Sequence, residues 1–322
     1  MSRLALVTGG AGFIGSHLAG GLLDQGLRVR VLDDLSSGQM ENLAGLLGRI
    51  EMVRGDCCDP RVVRAALEGV DLVYHQAALP SVQRSVEEPL RAHRINLDAS
   101  LILLEEARRC GVERLVCAGS SSVYGDSEEL PKRESMRPCP LSPYAVQKLS
   151  SEAYFQVFCE CYGLHTVVLR YFNVYGPRQD PSSPYSGVIS LFITALLAHR
   201  APKIYGDGEQ TRDFVFVEDV VRANLRAGLS DVRPGSVVNI SGGRRISINE
   251  LYCSIREAVG GAALGLEPEY EAARSGDVRD SLADLTEARN LLGFEPEVEL
   301  QQGVKQTVDY YRTRAVRKEQ EK

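Results

Sequence analysis

The sequence predicts an α/β protein built on a doubly wound parallel sheet with a smaller C-terminal α/β lobe, and three observations predict it. Short apolar runs alternate with helix-length amphipathic stretches, a glycine-rich turn separates the first strand-like run from the first helix-like one, and the rhythm changes after residue 171. Strands of a parallel sheet are covered by helices on both faces, so they read as continuous apolar runs. Residues 4–7, 29–32, 72–75, 115–118 and 166–171 have that character, and 51–54 is strand-like. Between them, 16–23 reads as a helix, 98–110 carries an apolar face, and a helical pattern runs through Phe158 from a turn-like start at Ser142-Pro143. Residues 176–185 are rich in Pro, Ser and Gly, and 191–198 reads as a helix. Gly206-Asp207-Gly208 and Ser241-Gly242-Gly243 then frame further strand-like and helical material. The expected organisation is a first domain over 1–175, with 206–240 returning to it, and a lobe made mainly of 176–322.

At 322 residues the chain can bury a sizeable core, and 44% hydrophobic with 25% charged residues is the composition of an ordinary globular protein. A formal charge of −6 argues against non-specific binding to nucleic acid or acidic membranes, while leaving room for a local basic pocket that holds a phosphate. The eight cysteines are Cys57, Cys58, Cys110, Cys117, Cys139, Cys159, Cys161 and Cys253. They form no C-x-x-C pair, so reduced thiols and no metal site are expected. The sequence opens on a strand-like run, with no basic leader and no long apolar segment, and a cytoplasmic location is expected. Residues 312–322 read as a solvated helix end.

The first strand leads into Thr8-Gly9-Gly10-Ala11-Gly12-Phe13-Ile14-Gly15 and then a helix. In that context glycines permit a tight turn, close approach of backbone to a pyrophosphate and close helix packing, so Gly9, Gly12 and Gly15, with Phe13 and Ile14 at the helix start, are expected to bind a dinucleotide. The second strand ends at Asp33, 18 residues after Gly15. A carboxylate there accepts from a ribose diol and repels an added 2′-phosphate, which favours NAD over NADP. Asp56, after the third strand, is a weaker candidate for the adenine side.

Tyr144 and Lys148 lie four apart at the start of a helix and share a face. An ammonium beside a phenol favours the phenolate, which suits general-base work. Ser120-Ser121-Ser122-Val123-Tyr124-Gly125 follows the 115–118 strand, which puts its hydroxyls at the carboxyl edge of the sheet, where open parallel sheets bind ligands. Serines after a strand are commonly turn formers, and it is the Tyr144/Lys148 pair that makes a catalytic reading preferable.

The glycine loop, residues 120–125, Tyr144/Lys148 and the run Arg170-Tyr171-Phe172-Asn173-Val174-Tyr175-Gly176-Pro177-Arg178 resemble the extended short-chain dehydrogenase/reductase family, whose first domain is a Rossmann fold. The resemblance runs nearly end to end, and residues 141–148, Gln179-Asp180-Pro181, 206–214 and 276–284 are most similar to UDP-N-acetylglucosamine 4-epimerases. It implies that Tyr144 takes the proton of the substrate's C4 hydroxyl while NAD takes the hydride, that Ser120 shares a hydrogen bond with the 4-oxygen, and that Lys148 binds the nicotinamide ribose. Asn96 resembles the asparagine that supports the Tyr/Lys helix. Arg212 and Arg274 match diphosphate-binding arginines, whose donors pair with phosphate oxygens, and Asn173 and Asp277 match further UDP contacts.

The same resemblance narrows the substrate. Where 4,6-dehydratases carry an Asp-Glu pair, this chain has Ser121 and Ser122, so it lacks the acid for eliminating water, and Ser122 is left as a substrate contact. Glucuronate epimerases place Thr and Arg where Asn173 and Asp180 stand, which disfavours a uronate. Ser281 falls where a bulky Tyr closes the sugar pocket of epimerases restricted to UDP-glucose and UDP-galactose, so both N-acetylated and plain hexoses are expected to be accepted. A non-catalytic NAD-binding regulator on the same fold is the alternative from another class, and the retained Tyr/Lys pair argues against it. Relatives commonly form homodimers through two helices per subunit, here 98–110 and 150–161.

Overall fold

The computed structural model describes residues 2–181, 187–273 and 278–320. The first half of the chain alternates strand and helix as its apolar runs require. In order it forms β1 (Leu4–Thr8), α1 (Phe13–Asp24), β2 (Arg28–Asp33), β3 (Ile50–Arg54), α2 (Pro60–Ala66), β4 (Leu72–His75), α3 (Val82–Glu87), α4 (Pro89–His93), α5 (Ala99–Cys110), β5 (Arg114–Ser120), α6 (Pro143–Tyr162) and β6 (His165–Tyr171). The second half adds β7 (Asn173–Tyr175), α7 (Val188–Leu197), β8 (Lys203–Tyr205), β9 (Thr211–Phe216), α8 (Val217–Leu229), β10 (Ser236–Ile240), β11 (Arg245–Ser247), α9 (Ile248–Val259), β12 (Glu269–Glu271), α10 (Thr286–Leu292) and α11 (Leu300–Gln320).

Seven strands form one parallel sheet in the order β10-β6-β5-β4-β1-β2-β3, a Rossmann-type arrangement. All residues of β1 and β4 are buried, because helices cover both faces. Their side chains divide by the two-residue period of a strand: Ala5 and Val7 join the cluster that includes Leu18 and Leu22 of α1, whereas Leu4 and Leu6 join the cluster that includes Leu103 and Leu104 of α5. The strand order reverses between β1 and β4, so a crevice opens beyond their carboxyl ends, where ligands of such sheets bind.

The chain leaves this layer after β6. β9 pairs with β7 and β11 in a three-stranded sheet, and β8 pairs with β12. Within 206–240, α8 packs on α1, and β10 extends the main sheet beside β6. Residues 211–216 stay in the small sheet. A third core cluster, built around Phe192, Ile193, Leu251, Ile255 and Val304, holds α7, α9 and α11 together. Phe13 and Ile14, at the start of α1, pack against that cluster, so the two lobes meet at the glycine turn. Among the described residues no helix is long and apolar enough to cross a membrane.

Candidate active site

The glycine turn is shaped by close backbone approach. Gly9 has φ +67°, a left-handed conformation, and a Cβ on it would lie 2.7 Å from the Ala77 backbone on the neighbouring strand's exit. A Cβ on Gly15 would lie 2.2 Å from the Gly9 carbonyl. Gly12 N donates to that carbonyl at 3.1 Å and stands at the N-terminus of α1, which no described side chain caps. The first-turn amides around Phe13 and Ile14 are therefore available to an anion. Such a cradle, which a Cβ would fill, fits a pyrophosphate.

Asp33 ends β2 only 6% exposed. Its Oδ2 accepts from Ala11 N at 2.9 Å and its Oδ1 from Leu35 N at 2.8 Å, which fastens the carboxylate to the glycine turn. Burial pushes its pKa up, and these two N–H groups oppose the shift. A carboxylate has about four lone-pair sites, so acceptor capacity remains for ribose hydroxyls. Asp56 is exposed beyond β3, and its Oδ1 accepts from Cys58 N at 2.8 Å in the turn that precedes α2.

Helix α6 starts at a Ser142 cap, whose hydroxyl accepts from Ala145 N at 3.2 Å, with Pro143 in the first turn. Tyr144 N donates to Ser85 Oγ at 3.0 Å, which ties the helix start to α3. Lys148 is 7% exposed; its Nζ lies 6.0 Å from the Tyr144 ring centre and donates to Ala118 O at 2.8 Å. Ser120 ends β5 and caps the following turn, accepting from Ser122 N at 3.2 Å, with the two hydroxyl oxygens 2.9 Å apart. Because α6 packs on β5 and on this turn, Ser120, Ser122, Tyr144 and Lys148 gather at the carboxyl edge of the sheet.

Asn96 lies in a single π turn, Arg94–Asp98. Its Oδ1 accepts from Leu79 N at 2.7 Å, and its Nδ2 donates to Gln147 Oε1 at 2.8 Å, so it braces α6 one residue before Lys148. Below it runs a buried chain that sequence reading missed. Ser100 Oγ donates to Asn96 O at 2.9 Å, which leaves it to accept from His75 Nε2 at 3.0 Å, while His75 Nδ1 lies 2.7 Å from Thr8 Oγ1. Burial, then the nearby Lys148 charge, push His75 down to about 3, so the ring is neutral. Its only sequence signal is a histidine inside an apolar run.

A cavity of about 800 Å³ is lined among others by Asn173, Leu191, Phe192, Lys203, Tyr205 and Arg212, all from the residues that follow β6, and by none of Ser120, Ser122, Tyr144 and Lys148. Asn173 Nδ2 donates to Asp213 O at 3.0 Å across the β7–β9 pairing, and Arg212 Nη1 donates to Thr211 O at 2.9 Å. Ser281 is half-buried in a segment stitched to residue 132: Lys132 N donates to Leu282 O at 2.7 Å and Asp284 N to Lys132 O at 2.9 Å. Ala283 N donates to Asp213 Oδ2 at 3.0 Å, so the strand that carries Arg212 also holds the Ser281 segment. Asp213 is fully buried, which pushes its carboxyl up to about 6. Arg274 and Asp277 lie outside the described residues. A second cavity, of about 340 Å³ beside Arg3, Arg114 and His165, sits at the opposite edge of the sheet, away from every candidate residue. Among the described residues no His, Cys, Asp and Glu cluster is arranged to hold a metal.

Residues 5–241 match the family model described as the NAD dependent epimerase/dehydratase family. The chain belongs to that family. It is 42% identical over 314 residues to the UDP-glucose 4-epimerase of Mycolicibacterium smegmatis, covering 96% of this chain and 99% of that one. The solved UDP-N-acetylglucosamine 4-epimerase of Methanobrevibacter ruminantium, in complex with UDP-N-acetylmuramic acid, is 39% identical with a TM-score of 0.92, covering 97% of this chain and 99% of that one. The Thermus thermophilus UDP-glucose 4-epimerase complex with NAD is 37% identical with a TM-score of 0.87, covering 96% and 99%. As an NAD-dependent epimerase/dehydratase, the chain is an enzyme of the extended short-chain dehydrogenase type and uses NAD, whose pyrophosphate and ribose suit the glycine cradle and Asp33.

Proposed function

We propose that this epimerase/dehydratase inverts C4 of a UDP-sugar, and that it accepts both UDP-N-acetylglucosamine and UDP-glucose. The observation that carries the reading is the gathering of Ser120, Tyr144 and Lys148 at the carboxyl edge of the sheet, with Asn173 and Arg212 lining a cavity in the residues that follow β6. Ser121 and Ser122 stand where a dehydratase needs an acid pair, which supports epimerisation over elimination.

In this reading bound NAD would supply reversible hydride chemistry at C4 and would not be consumed. The first turn of α1 holds the pyrophosphate, and Asp33 accepts from the adenosine ribose, with Asp56 beyond it. Lys148 holds the nicotinamide ribose and stabilises the Tyr144 oxyanion. Tyr144 removes the C4 hydroxyl proton, and Ser120 donates to the 4-oxygen, with Ser122 beside it. Arg212 and Arg274 clamp the diphosphate, while Asn173 and Asp277 hold the uridine side. Anchored there, the 4-keto sugar would be free to turn over and present its opposite face, and Tyr144 would return the proton to the 4-oxygen. Ser281 leaves room for an N-acetyl group.

We also propose a homodimer through α5 and α6. On α6, Val146, Tyr154, Val157 and Tyr162 are 38–55% exposed, which leaves apolar surface along the helix. Eight free thiols support a reducing, cytoplasmic setting. Sedimentation of the purified protein at twice the monomer mass is the expected result. The activity is tested by incubating the protein separately with UDP-N-acetylglucosamine, UDP-glucose and UDP-glucuronate without added reductant and resolving the C4 epimers by anion exchange. Conversion of the first two is expected. Conversion of the uronate alone would overturn the substrate assignment, and no epimer from any of them would overturn the activity.

A further inference from the structure

Helix α6 carries Tyr144, Lys148 and Glu152 at successive four-residue intervals, so the three share a face. Lys148 and Glu152 are 7% and 5% exposed, at the spacing where a lysine and a glutamate on a helix attract one another. The Cys117 thiol on β5, pushed up to about 11 by burial, feels both the Lys148 and the Glu152 charge. Yet Lys148 Nζ donates to Ala118 O, and the Glu152 carboxylate is held elsewhere.

Its holder is Arg170 on β6, itself 3% exposed. Arg170 Nε meets Glu152 Oε2 at 2.9 Å and Nη2 meets Oε1 at 2.6 Å, a bidentate fork that occupies both oxygens. The third arm, Nη1, donates to Tyr124 Oη at 2.8 Å, and Tyr124 donates in turn to Asn239 Oδ1 at 2.6 Å. Asn239 Nδ2 donates to Lys132 O at 2.9 Å, the carbonyl that also accepts from Asp284 N. One buried network thus reaches α6, the turn that follows Ser120 and the Ser281 segment.

We propose that Arg170 is a positioning residue for the Tyr144 chemistry: by occupying both oxygens of Glu152, it keeps Lys148 beside Tyr144 rather than one helical turn away. A buried carboxylate stripped of its partner recruits the nearest cation, because an unpaired charge at low dielectric is strongly unfavourable. Lys148 faces Tyr144 on its own helix and the neutral His75 from β4, and the Cys117 thiol of β5 feels both its charge and that of Glu152, whose carboxylate Arg170 of β6 holds with Tyr124 beyond. Of these, Glu152 is the anion. The inference rests on the Tyr144/Lys148 roles of the proposed function.

The test is an ultraviolet difference titration of the Tyr144 phenolate in NAD-loaded protein, each variant read against the same protein carrying Tyr144→Phe, with kcat–pH profiles alongside. Arg170→Met is expected to raise the titration midpoint by about 1 pH unit or more and to lower kcat at neutral pH by about tenfold. Arg170→Met combined with Glu152→Gln removes the competing anion and is expected to return the midpoint to the wild-type position. An unmoved midpoint in the single variant, or one that stays raised in the double variant, would overturn the proposal. Should Arg170→Met fail to fold, Arg170→Lys, which keeps a cation but loses the fork, is expected to move the midpoint the same way by less, and Glu152→Gln to cancel that move; no movement there also overturns it. The titration needs no turnover, so a wild-type protein inactive on every UDP-sugar would sink the proposed function without deciding this point.

Discussion

Replacing Gly15 by alanine probes the glycine cradle with a single methyl group. The added Cβ would stand 2.2 Å from the Gly9 carbonyl oxygen, 2.8 Å from Gly10 Cα and 2.9 Å from Gly9 C. All three are backbone atoms, so no side-chain rotation relieves the clash. Ordinary contact begins at 3.4 Å, and the turn must open by about 1 Å, which carries the Gly9–Gly12 segment away from the α1 amides. Overpacking of this kind costs about 1–3 kcal/mol, and expressed on cofactor affinity it corresponds to a roughly 5–150-fold weaker Kd for NAD. Gly20→Ala is the matched control. It lies in the same helix, where the nearest atom to a new Cβ is Leu46 Cδ2 at 3.9 Å, and alanine there is expected to stabilise α1 by up to about 1 kcal/mol. Calorimetric titration with NAD on both variants, with melting curves taken with and without NAD, separates the effects. A wild-type NAD affinity in Gly15→Ala, or an equal loss in Gly20→Ala, would refute the cradle.

Four further outcomes follow from the same geometry. Tyr144→Phe is expected to lower kcat by about 10²–10⁴-fold while NAD still binds, as read by epimer formation and by calorimetry. Arg212→Ala removes a charge-assisted donor worth about 1.5–3 kcal/mol and is expected to weaken UDP binding roughly 10–100-fold, measured by displacement or by KM. Ser281→Tyr is expected to depress UDP-N-acetylglucosamine turnover by about tenfold or more with UDP-glucose turnover retained, so unchanged N-acetylhexosamine turnover would remove Ser281 as the gate. His75 gives a pH prediction. Its native pKa lies near 3 against 6.5 unfolded, so the unfolded chain takes up this proton first; the stability is fully present above pH 6.5 and is lost as pH falls toward 3. At pH 5 the loss is about 2 kcal/mol, and His75→Gln is expected to show a flatter dependence of Tm on pH over that window. Asp213, raised to about 6 by burial, acts in the opposite sense, but it is present in both proteins and cancels from their difference.

Six of the sheet's seven strands, all but β10, were legible because they are written locally. Runs at 72–75, 115–118 and 166–171 correspond to β4, β5 and β6 to within a few residues, since a strand covered on both faces must be apolar throughout. The glycine turn and the Tyr144/Lys148 pair were legible for the same reason: a tight turn and a four-residue helical spacing are properties of a few consecutive residues. Residues 211–216 were not, because a short strand does not announce its partner. It joined β7 and β11, whereas α8 and β10 pack with the main layer.

The sequence by itself determined most of the layer of parallel strands, the glycine turn between β1 and α1, the acid that ends β2, and the four-residue spacing of Tyr144 and Lys148. Tertiary structure alone decided what holds those residues in place. Glu152, Arg170, Tyr124 and Asn239 each read as unremarkable in isolation, and 18, 46 and 115 residues separate the partners of their successive contacts. Thr8 meets His75 across 67 residues, and Asp213 meets Ala283 across 70. Such partners are chosen by sheet order and by the cost of leaving a buried charge or donor without a mate, and that cost acts only once the chain has folded.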